Sequence, residues 1–103
     1  MKKRVRKNKK EKSARQLERH MKGVANHHRI AILLLIEKSP GLTLEEISDV
    51  LKVNMKTISG HTYRLVQAGL LNKKYQGLSV AHSLSPYGKI IADFLISFSY
   101  SRE

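Results

Sequence analysis

Apolar residues recur at helical spacing along most of the chain and give way to alternation only between residues 70 and 84. Periodicity of this kind predicts a helical protein with one small β element. From about Lys12 the stretch EKSARQLERHMKGVA carries Ala14, Leu17, Met21 and Val24 at spacings of three, four and three, a narrow apolar seam on a charged helix. Gly23 is expected to end or bend that helix. Asn26 is a preferred cap for the next one, whose residues Ile30 to Ile36 are apolar nearly all round. Such a helix forms the buried centre of a small domain. Ser39-Pro40-Gly41 then makes a turn.

Residues 43 to 70, TLEEISDVLKVNMKTISGHTYRLVQAGL, read as two short helices separated by a tight turn. Thr43 followed by Glu46 fits a capping box, and Ile47, Val50 and Leu51 then repeat on one face. Lys52 and Val53 form the turn. Asn54 caps a second helix that runs to Ala68, where Gly69 supplies a left-handed terminator and Leu70 the apolar residue beyond it. At about 100° per residue, Met55, Ile58, Thr62, Leu65 and Val66 share the inward side, while Lys56, Gly60, Tyr63 and Gln67 lie opposite. Thr57, Ser59 and Arg64 flank the outward side, and His61 sits at the edge of the apolar one.

Leu70 to Tyr75 and Leu78 to Leu84 are short strands around Gln76-Gly77, and Leu78, Val80, His82 and Leu84 fall on one face of the second. His82, among aliphatic neighbours, is a partly buried packing residue. Ser85-Pro86 starts a last helix with Tyr87, Ile90, Ile91, Phe94, Leu95 and Phe98 apolar. The fold is therefore mostly α with a small β-hairpin, in the order α-α-α-α-β-β-α: a winged helix-turn-helix. Residues 13–100 form the domain and residues 1–12 a basic disordered tail. The last helix is more apolar than one face of a small domain needs. Ile91, Phe94, Leu95 and Phe98, with Leu17 and Met21 of the first helix, are expected to pack on a second copy rather than close the core alone.

Charge adds a partner. The net charge is +12; residues 1 to 22 hold eleven Lys or Arg and two Glu, so +9 of it lies there. A polyanion is the expected partner, and Lys2, Lys3, Arg4 and Arg6 would follow its phosphates. The absence of cysteine excludes a disulfide scaffold, a thiolate metal site and a cysteine nucleophile. No carboxylate pair, glycine-rich phosphate loop or nucleophile-base arrangement supports an enzyme, and no cofactor is implied. His27 and His28 are adjacent, so on a helix they point apart and a shared metal is not expected. No apolar run is long enough to span a bilayer, and the expectation is a cytoplasmic, nucleoid-associated protein without membrane contact.

HHRIAILLLI and the segment LTLEEISDVLKVNMKTISGHTYRLVQAGLL carry a resemblance to winged-helix regulators of the ArsR type. Thr57, Ile58, Ser59, His61, Leu65, Ala68, Gly69 and Leu70 match the pattern T-[VI]-S-x-H, a leucine four positions on, and AGL. MarR-type regulators share much of it. The resemblance implies a homodimer on double-stranded DNA, joined through its first and last helices, with the helix after Asn54 in the major groove. Lys56, Thr57, Ser59, Gly60, His61, Tyr63 and Arg64 would then face DNA, with Lys73 and Lys74 of the wing beside them. Gly60 stands where a longer polar residue is common, and Thr62 where leucine is usual. The metal-sensing cysteines are missing, and the last helix offers only Asp93, so metal sensing is not implied. The alternative is a nonspecific module, packaging DNA or associated with RNA, in which the tail binds any nucleic acid and the fold serves assembly.

Overall fold

Each helix begins at a side-chain cap. The computed structural model describes residues 10–100, so the tail residues Lys2, Lys3, Arg4 and Arg6 lie outside the described part. Its helices are α1 (Ala14–Val24), α2 (His27–Lys38), α3 (Leu44–Leu51), α4 (Met55–Gln67) and α5 (Pro86–Ser99), with strands β1 (Leu71–Gln76) and β2 (Ser79–Leu84) before the last. Ser13, Asn26, Thr43, Asn54 and Ser85 each accept a first-turn amide proton. In the Ser13/Gln16 and Thr43/Glu46 pairs the bond is reciprocated by the side chain three residues on. Asn26 serves two amides, of His28 at 2.9 Å and Arg29 at 3.2 Å. Asn26→Ala should therefore lower stability by about 1 kcal/mol in denaturant unfolding, without altering helix content in the folded state.

The central helix is α2, which packs against α1, α3, α4, α5 and β2. Its Ile32, Leu33 and Ile36 are wholly buried with Ile47, Ile58, Leu65 and Leu70 of the surrounding elements. That agrees with its all-round apolar pattern. In α3, by contrast, Ile47 is buried but Val50 is exposed, because a two-turn helix is covered along one line only. No helix of the described residues is long and apolar enough to cross a membrane.

Gly23 is the last residue but one of α1, which ends at Val24. It is a packing glycine: a Cβ there would overlap the Cβ of Ala68 at the end of α4. One turn earlier His20 is buried, its Nδ1 2.7 Å from the Ala68 carbonyl oxygen. A carbonyl only accepts, so Nδ1 carries the proton. Val24 is buried while Leu17 and Met21 stay about half exposed.

The hairpin is antiparallel, with Leu71 opposite Leu84 and Gln76 opposite Ser79. Gly77-Leu78 is its two-residue turn; Gly77 at φ +64° takes the position that demands positive φ. Leu70 is thus a fully buried helix-strand junction rather than a strand residue, and Leu78 is the fully exposed tip rather than part of an inward face. Val80, His82 and Leu84 keep the expected parity. Ala81 is nevertheless buried too. Its edge is covered by Leu42, which bridges to His82: Gly41 N–H donates to the His82 carbonyl at 2.8 Å, and the Leu42 carbonyl accepts both His82 N–H and Nδ1–H at 2.9 Å. A partner forty positions away is invisible to a period-two pattern.

Candidate nucleic-acid interface

The turn before α4 is fixed from both sides. Lys52 ends α3 in the left-handed conformation, φ 58°, and Ser48 Oγ donates to the Val53 carbonyl at 2.6 Å. Asn54 then accepts the Thr57 amide at 2.9 Å. Ile58 and Leu65 anchor α4 to the core without exposure. Thr62 is buried between them, and its hydroxyl donates to the Ile58 carbonyl at 2.7 Å, which satisfies it within its own helix. The loss relative to leucine is therefore apolar area, not an unpaired polar group. Met55 belongs with the outer residues, at 43% exposure.

That anchoring leaves a defined outer surface. Lys56, Ser59, Gly60, Tyr63, Arg64 and Gln67 are exposed, with Asn54; Thr57 and His61 are half-buried. No acidic residue occurs in α4, so the charge on this face is positive only, from Lys56 and Arg64. Gly60 has no heavy atom within 4 Å of where a Cβ would stand. The hairpin extends the surface on one side, where Lys73 lines a cleft of about 150 Å³ with Ser59 and Tyr63. Lys74 is opposite Ala81 on the other face of the ribbon, so the two lysines do not act from one place.

On the other side the surface is extended by α2, which sequence reading passed over. Arg29 lines a depression of about 300 Å³ with Lys56, Thr57, Gly60, His61 and Arg64. Its Nη1 donates to the Gly23 carbonyl at 3.1 Å, with the Lys22 carbonyl at 3.4 Å. His27 and His28 do not point apart as expected: their ring centroids are 4.2 Å apart, and the His28 ring lies 5.2 Å from that of His61. Burial holds the His61 pKa below its ordinary 6.5, and the positive fields of Arg29, His28, Arg64 and His27 lower it further. Among the described residues no group of three or more His, Asp or Glu side chains is arranged to hold a metal ion. The signal available in the sequence was the run HHR in the first turn of α2.

A second surface lies on α1 and α5. Phe94 and Phe98 are about two-thirds exposed, with stacked rings 5.6 Å apart, and Ile90 is as exposed as they are. Ile91 and Leu95 differ: both are half-buried and pack against the chain's own core. At the start of α5, Lys12 Nζ sits 4.1 Å over the Tyr87 ring, and Lys89 bridges Glu37 at 2.8 Å and Asp93 at 3.1 Å.

Residues 26–75 match the MarR family model. The chain is similar to HlyU from Vibrio cholerae, with 26% identity over 86% of this chain and 97% of that one, at a TM-score of 0.77. The transcriptional repressor PagR of Bacillus anthracis shares 24% identity over 79% of this chain and 93% of its own, TM-score 0.72. The homodimeric winged helix-turn-helix DNA-binding domain of Mb0332 from Mycobacterium bovis, a candidate ArsR-family regulator, shares 20% over 88% and 90%, TM-score 0.74. A comparison with curated proteins gives no match. The architecture is that of winged helix-turn-helix regulators, as the likeness to the ArsR type implied.

Proposed function

We propose that this winged helix-turn-helix DNA-binding transcriptional regulator, not an enzyme, works as a two-fold homodimer that sets α4 of each copy into successive major grooves. The observation that carries the reading is the division of α4. One side is locked to the core through Ile58, Thr62 and Leu65, and the other presents cations, hydroxyls and a tyrosine to solvent without a single carboxylate. Those are the groups that bond phosphates and base edges. Lys56, Ser59, Tyr63 and Arg64 would meet DNA with Asn54, Thr57, Gly60 and His61; Lys73 would take a phosphate beside the groove, and Lys74 one from the other face of the ribbon. Leu17, Met21, Phe94 and Phe98 would form the dimer contact with the rims of Ile91 and Leu95. The homodimeric state named for the Mb0332 domain supports this assembly.

The test is selection of bound sequences from a random duplex pool at about 150 mM salt, where phosphate binding alone is weak. A two-fold symmetric motif with half-sites about 34 Å apart is expected. An unenriched pool would overturn the reading in favour of a tail-driven polyanion binder. The two parts of the chain should also separate. Lys56→Ala with Tyr63→Ala should relax sequence preference, whereas deleting residues 1–12 should weaken selected and random DNA alike and flatten the salt dependence. If that tail makes about six phosphate contacts, affinity of the intact chain falls by about three orders of magnitude between 50 and 200 mM salt. Equal losses on both DNAs from both changes would refute the division.

A further inference from the structure

We propose that the depression between the start of α2 and the middle of α4, lined by Arg29, Lys56, Thr57, His61 and Arg64 with the His28 ring 5.2 Å from that of His61, binds one phosphate group of the DNA backbone and takes up a proton as it does so. The inference rests on the DNA-binding reading above and adds to it a contact from outside the helix-turn-helix.

Four observations point to an anion there. The lining holds the cations Arg29, Lys56 and Arg64, the Thr57 hydroxyl and the His61 imidazole, and no carboxylate stands in it. Arg29 is held by the main-chain carbonyls of α1 at its Nη1, yet its Nε is buried without an acceptor, an arrangement that proteins rarely leave unanswered. Gly60 contributes no side chain to the floor, and space above it is open. The first turn of α2, which carries no acid, adds the positive end of a helix dipole. Together these favour a dianionic or monoanionic oxygen cluster over a neutral ligand.

The proton linkage follows from the surroundings of His61. From α2 the fields of Arg29, His28 and His27 lower its pKa, and from its own helix that of Arg64. On α1, Lys22 is paired with Glu18 at 3.0 Å, and none of α3's Glu45, Glu46 and Asp49 is among the groups acting on His61. In the free protein, then, the imidazole is neutral to a lower pH than usual. A phosphate set among these groups reverses the field and favours the imidazolium. Between the free and the bound pKa, binding takes up a proton, so affinity rises as pH falls through that window and levels off below it. The contact carries no base information; it fixes the angle of α4 against the scaffold.

The experiment measures affinity of the full-length protein for a duplex bearing the selected motif, by fluorescence anisotropy at about pH 8 and pH 6, for the native chain, His61→Gln and His28→Gln/His61→Gln. Arg29 is left intact because it holds α1. Imidazole resonances of the native chain are followed by NMR as inorganic phosphate is added without DNA. The native protein should bind about tenfold tighter at the lower pH, with the salt slope steeper by about one unit. The double variant should lose most of that gain and of the added salt slope. Native-like pH and salt dependence in a folded double variant would overturn the proposal. If the native chain showed no motif preference, the DNA-binding reading would fail separately, and inorganic phosphate would decide the site. Shifts of the His28 and His61 resonances would then assign it to free phosphate, and unmoved resonances would end it.

Discussion

Replacing Phe94 and Phe98 together with glutamate yields a folded monomer whose affinity for a two-half-site duplex is lower by about a thousandfold. The two rings stack on each other at the outer surface of α5 and are about two-thirds exposed. Removing them takes little from the protomer's own core, which on this helix is served by Ala92, Ile91 and Leu95. A single chain rarely leaves this much aromatic and aliphatic surface in water, and a second exposed pair, Leu17 and Met21, stands on α1. Burying four carboxylates at a two-fold contact is far costlier than burying the phenyl rings, so assembly should fail before folding does. The loss on DNA follows because each half-site alone is bound weakly. Tethering two recognition helices makes the second contact intramolecular, at an effective concentration near the millimolar range. Sedimentation equilibrium and anisotropy on one- and two-half-site duplexes check both statements. A variant still dimeric, with native affinity, would place the interface elsewhere. Ile91→Ala is the contrasting control, lowering stability by about 2 kcal/mol or more through a cavity in the protomer.

Capping residues and apolar period made most of this architecture readable in advance. Thr43, Asn54, Gly69 and Ser85 mark boundaries by local chemistry, and local chemistry survives folding unchanged. What stayed hidden depends on residues distant in sequence. Gly23 reads as a helix terminator, and its packing role, set by Ala68 lying against it, is not legible beside that. His20, outside the apolar seam, is buried on the same carbonyl-bearing terminus. Leu42 closes the edge of β2 at His82, and Ala81 is buried against its own alternation. Within the interface, the outward positions of α4 could be assigned from a helical wheel alone. The contribution of Arg29 and His28 could not, since it exists only once α2 crosses α4 and brings the two imidazoles of His28 and His61 within 5.2 Å.

Two glycines of similar appearance should respond in opposite directions to the same methyl group. Gly88 is buried in the first turn of α5, and a Cβ there would fall on the Leu70 carbonyl oxygen. That carbonyl already accepts the Ser85 amide at 3.0 Å, while Ser85 Oγ donates to Gly69 at 2.6 Å and receives the Gly88 amide at 3.0 Å. Gly88→Ala must displace main chain tied by these bonds, and should cost about 3 kcal/mol or more, a large part of a small domain's stability. Gly60 stands in mid-helix in open space, where glycine is about 1 kcal/mol worse than alanine. Gly60→Ala should therefore raise the unfolding free energy by about that amount. The same methyl group projects from the face that carries Lys56, Tyr63 and Arg64, and would stand between the helix backbone and the groove. Affinity for DNA should fall as stability rises. Thermal unfolding paired with anisotropy reads both, and a variant that gains stability at unchanged affinity would show that α4 approaches DNA by its side chains alone, not through the opening that Gly60 leaves.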